Sequence, residues 1–581
     1  MSKQRSAGRR RDGWRALLRT LGRLRLPWGW IAVALALNLG FNTLILYLPD
    51  TTAALMSGQL TGGALTKAIM HFVSLALLSF VLVAGQAQAR ACGARCARQR
   101  IWRRMLHMHM PFFDRNDPSD LMSAITTDAR SAVEGLVNCI IYLIPDLYYI
   151  VMALRRINQY HWILAVSCFA LLPIKYLYAL LMGKQMQKHT ARLYDRIGRL
   201  TGFLADRIHH LPLIKVCANE QAEGEAGEAA SEELLRANMK LVQLDNLSVG
   251  ATAVIDLLQK FIVIVVAVLL LQQRRIDLAM WLAFFLFSQN LFPTMDEVFD
   301  LWIRIKGMHG SFRRIVEVME GEVEDTQGLS SFPQRGDLRF EHVSFAYPGT
   351  DEPALRDVSF TVPRGTSVAI VGLCGSGKTT ALSLLERFYE PTEGRILLGE
   401  TPLCDIPLHE LRRRIAYVQQ GAGVFGGTLR QALTYGIDRP LSDEELLAAA
   451  EKTGFSDYLV QCPQGLDTPV APGGGSMSGG QSQRLVLTRE LLRGGELILM
   501  DEPTSALDVR ISARLRQVTD ELFADKTRLL ITHDLSLARC YARILVLENG
   551  RLIGDGSHET LLKTCAAYRE LNENAGEEVP A

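Results

Sequence analysis

Eight consecutive residues, Gly372 to Thr379, have the types and spacing that can hold a polyphosphate. They read G-L-C-G-S-G-K-T, with glycine at the first and sixth places followed by lysine and threonine. The glycines let backbone N–H groups curl around phosphate oxygens, Lys378 can reach the β- and γ-phosphates, and the Thr379 hydroxyl can ligate Mg²⁺. An apolar run, Thr366–Val371, precedes the loop and a helical pattern, Thr379–Glu386, follows it. This strand–loop–helix context is the one that the motif requires.

Two acids end a second apolar strand about 120 residues later. The strand is Leu497–Met500, and Asp501 and Glu502 follow it directly. Asp501 would bind Mg²⁺ directly or through water, and Glu502 would polarise the water that attacks the γ-phosphate. The two motifs together predict a site that binds ATP with Mg²⁺ and hydrolyses it.

Five further motifs carry a resemblance to a known family. Met477-Ser478-Gly479-Gly480-Gln481 resembles the signature motif of the ATP-binding-cassette (ABC) family, and Ser505-Ala506-Leu507-Asp508 resembles its D-loop. Gln420 aligns with the Q-loop glutamine, His533 with the switch histidine, and Tyr347 with the aromatic residue that stacks on adenine. All of these motifs occur in the expected order across residues 337–570.

The resemblance implies a role for each matching residue. The catalytic residues would be Glu502, His533 and Gln420, and the Mg²⁺ ligands Thr379, Gln420 and Asp501. The residues that bind ATP would be Tyr347, Gly372, Leu373, Cys374, Gly375, Ser376, Gly377, Lys378, Thr379, Thr380, Ser478, Gly479, Gly480, Gln481 and Asp508.

The resemblance continues upstream of the ATPase motifs. Pro111–Asn116, Ser119–Leu121 and Ile125–Asp128 are similar to the first cytoplasmic loop of exporter-type half-transporters, and Ile214–Glu220 resembles the second. In that family two ATPase domains sandwich two ATP molecules, each between one subunit's phosphate loop and the other's Ser-Gly-Gly-Gln. The resemblance therefore implies a dimer, with alternating access driven by closure of the sandwich.

Six apolar runs in the first half are long enough to cross a membrane. They are Trp28–Leu48, Ile69–Ala84, Val137–Leu154, Trp162–Met182, Ala253–Leu271 and Leu278–Thr294. The long loops between them, 89–135 and 183–250, are basic, and so is the N-terminus, which places all three in the cytoplasm by the positive-inside rule. The helical pattern continues into both loops. We expect a break at Pro111 and Asp114–Asp120 in the first loop and at Gly224–Gly227 in the second.

From Gly336 onward, short β-branched runs alternate with amphipathic helices, which predicts an α/β domain with a largely parallel sheet. The predicted fold class is an α-helical six-span transmembrane bundle followed by an α/β P-loop ATPase domain, the ABC nucleotide-binding domain. The predicted boundaries are a basic cytoplasmic segment 1–27, a transmembrane domain 28–317, a linker 318–336, the ATP-binding domain 337–571 and a tail 572–581.

Composition excludes several classes of protein. Of 581 residues, 48% are hydrophobic, and 63 Lys and Arg against 61 Asp and Glu leave a net charge of +2. That balance excludes a chain-wide polyanion binder, a collagen and a mostly disordered chain. The ten cysteines are scattered, which resembles neither a disulfide framework nor a zinc site.

The chain departs from the family pattern at several positions. Cys374 stands where serine is usual, and its electropositive turn favours a reactive thiol, although an inert small side chain is an equal alternative. Val470-Ala471-Pro472-Gly473-Gly474 lacks the usual acid before the signature, and Gln419 and Gly421 replace the common residues around the Q-loop. None of these changes removes a catalytic group.

Charged residues within the spans leave several interpretations open. Asp256 and Lys260, four apart, could pair on one helix face, and Asp146 and Lys175 could pair across successive spans. For Asp256 and Lys260, a structural role and contact with the substrate are about equally favoured.

The leading prediction is an ATP-hydrolysing half-transporter in the bacterial inner or plasma membrane, with a cytoplasmic ATPase domain. It would export a small molecule, lipid or peptide. The expected partners are a second half-transporter subunit, identical or not, membrane lipid and an unknown substrate, with no nucleic acid. A same-fold importer, for example of siderophores, and an ATP-gated channel or membrane regulator stay as alternatives.

Overall fold

The chain forms two compact units. The computed structural model describes residues 26–56, 62–116, 118–307, 309–328, 331–333, 336–350, 352–419, 421, 423–471, 475, 477–503 and 509–577. One unit holds the residues up to Leu106 together with Asp117–Gly321, and the other holds His107–Asn116 together with Glu322 onward.

The first half of the described chain is helical. Its helices are α1 (Trp28–Met56), α2 (Gly62–Met105), α3 (Met110–Arg115, in the second unit), α4 (Pro118–Ser123), α5 (Ala129–Tyr160), α6 (Trp162–Ser167), α7 (Leu172–His209), α8 (Leu211–Val216), α9 (Glu220–Gln272), α10 (Leu278–Gly307) and α11 (His309–Glu320). A π-helical turn, Ala124–Asp128, joins α4 to α5. Among the described residues, six stretches are long and apolar enough to cross a membrane, which confirms the predicted number of spans. Only 11–33% of each most apolar window is buried within the protein, so most of that apolar surface can face lipid.

The helices that contain the second to fifth spans continue well past the thickness of a bilayer. The longest, α9, has 53 residues and measures about 80 Å at 1.5 Å per residue, against a hydrocarbon core of about 30 Å. The expected break at Gly224–Gly227 is wrong, because both glycines lie inside α9. A glycine costs a helix only about 1 kcal/mol. The chain breaks instead between His209 and Glu220, where the short helix α8 carries Pro212 in its first turn and Ala218 takes a positive φ of 47°.

The six spans pack as two groups. Helices α1, α2, α5 and α10 pack together, and α7 packs along α9. In the second group Lys175 Nζ lies 2.6 Å from Asp256 Oδ1, and it also forms an ion pair with Asp296 of α10. Both expected pairings are therefore wrong: Asp256 pairs with Lys175 and not with Lys260, and Lys175 pairs with Asp256 and Asp296 and not with Asp146. The antiparallel packing of α7 on α9 places Lys175 opposite Asp256.

The described part of the second unit contains twelve strands. They are β1 (Leu338–Phe345), β2 (Leu355–Val362), β3 (Ser367–Val371), β4 (Glu393–Leu398), β5 (Thr401–Pro402), β6 (Ile415–Val418), β7 (Gly427–Thr428), β8 (Pro469–Val470), β9 (Leu497–Asp501), β10 (Thr527–Ile531), β11 (Arg543–Glu548) and β12 (Arg551–Gly556). The helices between and after them are α12 (Lys378–Leu385), α13 (Leu408–Arg414), α14 (Leu429–Thr434), α15 (Asp443–Thr453), α16 (Ser456–Leu459), α17 (Gly479–Arg493), α18 (Val509–Leu522), α19 (Leu535–Ala538), α20 (His558–Thr564) and α21 (Ala566–Glu577).

The main sheet brings the predicted motifs to one edge. Its order is β12-β11-β3-β10-β9-β6, and β11, β3, β10, β9 and β6 run parallel. The phosphate loop follows β3, the Asp-Glu pair ends β9, and His533 follows β10, so the three motifs meet at the carboxyl edge of adjacent strands. Strands β1 and β4 belong to a separate antiparallel sheet of order β2-β1-β4-β5.

Candidate functional site

The phosphate loop depends on glycine for its backbone shape and for close packing. Gly375 and Gly377 have φ values of 80° and 98°, and Gly372 has a φ of 154°. A Cβ atom on Gly372 would lie 2.1 Å from the carbonyl oxygen of Leu547, closer than real Cβ contacts come. Larger residues at Gly372 would therefore push the loop away from strand β11.

Lys378 is held inside the loop that it is predicted to serve. Its ammonium group donates hydrogen bonds of 2.9 Å to the carbonyl oxygens of Gly372 and Leu373. Burial lowers the pKa of Lys378, while the neighbouring Cys374, Glu502 and Asp501 act in the opposite direction. The ammonium is thus desolvated and positioned beside the loop's backbone, where a bound phosphate would be a strong partner.

Thr379 and Asp501 lie in contact, as expected of two ligands of one Mg²⁺ ion. The Thr379 side chain forms a hydrogen bond with the buried Asp501 carboxylate. Burial raises the pKa of Asp501, and the hydrogen bond from Thr379 and the charge of Lys378 oppose that shift. A hydroxyl and a carboxylate are the hard oxygen donors that Mg²⁺ prefers, so the residues present fit the ion.

Tyr417 contacts the predicted Mg²⁺ ligand Asp501, a contact that the sequence analysis missed. It lies on β6, the parallel neighbour of β9, and its hydroxyl also forms a hydrogen bond with Asp501. Burial raises the pKa of Tyr417, which keeps the phenol protonated as a donor. Tyr417 stands three residues before Gln420, so the Q-loop resemblance is the one signal that could have found it.

Glu502 and His533 lie close together at the ends of β9 and β10. His533 Nδ1 is 3.2 Å from Glu502 Oε1, and the side chain of Glu502 is 17% exposed. Glu502 takes a φ of 46°, a conformation that costs a residue with a Cβ about 1–2 kcal/mol. A carboxylate held in this way beside an imidazole can accept a proton from an attacking water.

Tyr347 belongs to a small aromatic cluster. Its ring centroid lies 5.0 Å from that of Phe345 and 5.1 Å from that of Tyr389, both edge to face, and its hydroxyl is 3.1 Å from the Thr380 hydroxyl. Tyr389, which the sequence analysis also missed, donates a 2.6 Å hydrogen bond to Asp114 of helix α3. Tyr347, the predicted adenine-stacking residue, therefore contacts Tyr389, which is hydrogen-bonded to Asp114 in the segment that resembles the first cytoplasmic loop.

The Ser-Gly-Gly-Gln motif forms the start of helix α17. Ser478 is the N-cap and accepts from the backbone N–H of Gln481, while the Gln481 side chain accepts from the N–H of Ser478. Ser478 and Gly479 are exposed, and the two glycines leave the first turn without bulky side chains. Such a helix N-terminus can approach an anion closely.

Part of the predicted site lies outside the described residues. Gln420 of the Q-loop and Ser505–Asp508 of the D-loop are among these positions, as is Pro472 in the departure before the signature.

Alkylation of Cys374 is expected to inhibit ATP hydrolysis. The thiol is free and exposed in the phosphate loop, so an N-ethylmaleimide adduct would occupy space needed by the phosphates. We expect the reagent to remove most of the ATPase activity, ATP to protect against it, and Cys374→Ser to make the enzyme resistant. Cys404→Ser, at another exposed thiol, should stay sensitive. If Cys374→Ser were inhibited as strongly as the parent, the inert-side-chain alternative would be correct.

Stability should fall with rising pH because of Glu386, directly after α12. Burial raises the pKa of this carboxyl from 4.5 to about 7, despite the nearby Arg412 and Arg493. The folded state then binds the proton more tightly than the unfolded chain, so this group's contribution is complete below about pH 4.5 and is lost as the pH rises through 7. Glu386→Gln should raise the melting temperature at pH 8 and leave it nearly unchanged at pH 4.5. The exposed Glu393→Gln is the matched control, and equal shifts in both variants would contradict the assignment.

Two family models match the chain. The model described as ABC transporter matches residues 355–505, and the one described as ABC transporter transmembrane region matches residues 30–295. Among curated proteins, the ATP-dependent lipid A-core flippase of Haemophilus influenzae (strain 86-028NP) is 30% identical over 476 residues, which are 82% of this chain and 81% of that protein. The protein of the same name from Chromobacterium violaceum is 28% identical over 574 residues, 97% of each chain.

A solved structure described as a bacterial Atm1-family ABC exporter with ATP bound matches with a TM-score of 0.82. The match covers 95% of this chain and 99% of that chain at 23% identity, so it bears on the fold alone. These matches confirm the predicted fold class of a six-span helical domain followed by a P-loop ATPase domain.

Proposed function

The chain belongs to the ABC transporter family, and we propose that two copies of it form a transporter that moves a lipid from the inner to the outer leaflet. Membership makes it an ATP-driven exporter-type half-transporter of the bacterial inner membrane, with a cytoplasmic ATPase domain. Beyond family membership, we propose that the substrate is a lipid, that the transporter is a dimer and that it works by alternating access.

The observation that carries the proposal is the meeting of Lys378, Asp501, Glu502 and His533 at one sheet edge, in a chain that also holds six spans. Lys378 would bind the β- and γ-phosphates. Glu502 would take the proton of the attacking water, and His533, 3.2 Å away, would keep that carboxylate in place. A Mg²⁺ ion held by Thr379 and Asp501 would neutralise charge on the phosphates.

Two observations support the dimer and the lipid. The exposed, glycine-rich start of α17 is suited to approach the ATP of a second copy. Curated relatives named for lipid A-core transport match over as much as 97% of both chains, so their length and organisation are shared. We keep the proposed limits of 28–317 for the membrane domain, 318–336 for the linker and 337–571 for the ATP-binding domain.

The test is lipid movement in proteoliposomes whose ATPase domains face outward. A fluorescent lipid in the outer leaflet should become inaccessible to a membrane-impermeant quencher when ATP and Mg²⁺ are added, and Glu502→Gln should not support this movement. Movement in the opposite direction would favour the importer alternative. Passive flux that is independent of turnover would favour the channel. Cross-linking in the membrane should trap a dimer, and a monomer that moves lipid would contradict the dimeric proposal.

A further inference from the structure

Lys175, Asp256 and Asp296 form a three-residue cluster, here called the ion triad, in the membrane-spanning part of the first unit. Lys175 of α7 contacts Asp256 of α9 and Asp296 of α10. The triad is one of the places where the α7–α9 pair touches the other group of spans. Charged side chains are expensive in a bilayer and are usually functional there.

A buried glutamine stabilises the chain next to the triad. Gln259 Nε2 donates a 2.7 Å hydrogen bond to the carbonyl oxygen of Ser167, and its Oε1 accepts a 3.0 Å hydrogen bond from the N–H of Leu171. These backbone groups lie at the break between α6 and α7, where helical hydrogen bonds are interrupted. Unsatisfied backbone groups are costly in lipid, so the two hydrogen bonds from Gln259 stabilise the break between α6 and α7 within the membrane.

The ion triad lies near the inner leaflet. Asp256 precedes the outer end of α9 at Gln272 by 16 residues, and Asp296 follows the outer start of α10 at Leu278 by 18 residues. At 1.5 Å per residue these separations are about 24 Å and about 27 Å of a hydrocarbon core of about 30 Å. This is the level at which an amphiphile entering from the inner leaflet carries its headgroup.

The triad carries a net negative charge, and its two carboxylate side chains are more exposed than its lysine side chain. Two carboxylates share one ammonium, and the Lys175 side chain is 16% exposed whereas Asp256 and Asp296 are each 30% exposed. Asp300, one helical turn beyond Asp296, adds a further negative charge nearby. In the described chain Lys260 makes no ion pair with any of these carboxylates. A cation is therefore the complementary ligand.

The groove beside the triad is lined mostly by apolar and aromatic side chains, with Gln259 as a further polar residue. Leu172, Ile255, Met295, Phe292 and Phe299 line it together with Lys175 and Asp256. Aromatic faces attract alkylated ammonium groups, most strongly when the cation is desolvated. We propose that this groove binds the ammonium headgroup of an amphiphile, with Asp256 and Asp296 as the residues that determine specificity. The proposal rests on the proposed lipid transport and names its substrate class.

The experiment compares amphiphiles that differ only in their head. Hexadecyltrimethylammonium, hexadecanol and hexadecyl phosphate are added to neutral phosphatidylcholine proteoliposomes that contain the full-length protein, and stimulation of ATP hydrolysis is measured. The ammonium compound should reach half-maximal stimulation at a concentration about tenfold below the phosphate. Equal potency, or a preference for the phosphate, would overturn the inference. If no ATP-dependent lipid movement of any kind occurs, the proposed transport function itself fails.

Substitutions distinguish a binding site from a structural lock. Asp256→Asn and Asp296→Asn should each raise the half-maximal ammonium concentration about tenfold. Lys175→Gln should lower it, because it removes the internal competitor for the two carboxylates. Asp195→Asn, the same change in the exposed extension of α7, is the matched control. If the triad served only to hold the helices together, all three triad variants would lose the ammonium response. A loss of that response in Lys175→Gln, in protein that still binds ATP, would therefore overturn the inference.

Discussion

Replacing Glu502 with glutamine is expected to lower the rate of ATP hydrolysis by about 10²- to 10⁴-fold, the usual contribution of a general base. Glutamine keeps the shape of the side chain and can still hydrogen-bond to His533, but it cannot take a proton from water. ATP binding should persist, because Lys378, Thr379 and the loop glycines are untouched. The measurement is phosphate release in detergent and in liposomes, together with the dissociation constant of a fluorescent ATP analogue.

Two further variants sharpen this prediction. Glu444→Gln, at an exposed position in the first turn of α15, makes the same chemical change away from the sheet edge and should hydrolyse ATP like the parent. His533→Ala combined with Glu502→Gln should be little slower than Glu502→Gln alone, because the two residues act as a unit. Hydrolysis at the parental rate in Glu502→Gln would show that another group is the base.

Replacing Gly372 with alanine should have an effect of similar size for a steric reason. The new Cβ would lie 2.1 Å from the Leu547 carbonyl oxygen, so loop and strand must separate by about 1 Å. A displacement of that size in a catalytic site can lower turnover about 10²-fold. We expect a weaker ATP affinity, slower hydrolysis and a lower melting temperature.

Gly465→Ala is the matched control for this prediction. Gly465 also has a positive φ, 53°, but a Cβ atom there would meet nothing within 4 Å. It should cost about 1–2 kcal/mol of stability through backbone strain and leave ATP affinity unchanged. Equal losses of ATP affinity in both variants would mean that the positive φ alone is responsible, and not the contact with Leu547.

The local motifs could be recognised because their chemistry is encoded in short contiguous stretches. The phosphate loop, the Asp-Glu pair and His533 each follow a predicted strand, and parallel strands place such ends at one edge. The apolar runs likewise predicted six spans, because each run by itself must match the bilayer thickness. The same approach failed for the long helix α9, because the free-energy cost of Gly224 and Gly227 in a helix is smaller than the free energy gained by continuing the helix.

The sequence by itself determined the fold class, the family and the position of the phosphate loop, because spacing along the chain carries that information. Only the tertiary structure decided which distant side chains meet. Lys175 forms ion pairs with Asp256 and Asp296, which lie 81 and 121 positions away in the sequence, because α7 packs on α9 and approaches α10. Tyr417 reaches Asp501 only because β6 is the neighbour of β9. Such contacts depend on the packing of whole elements, which no local pattern specifies.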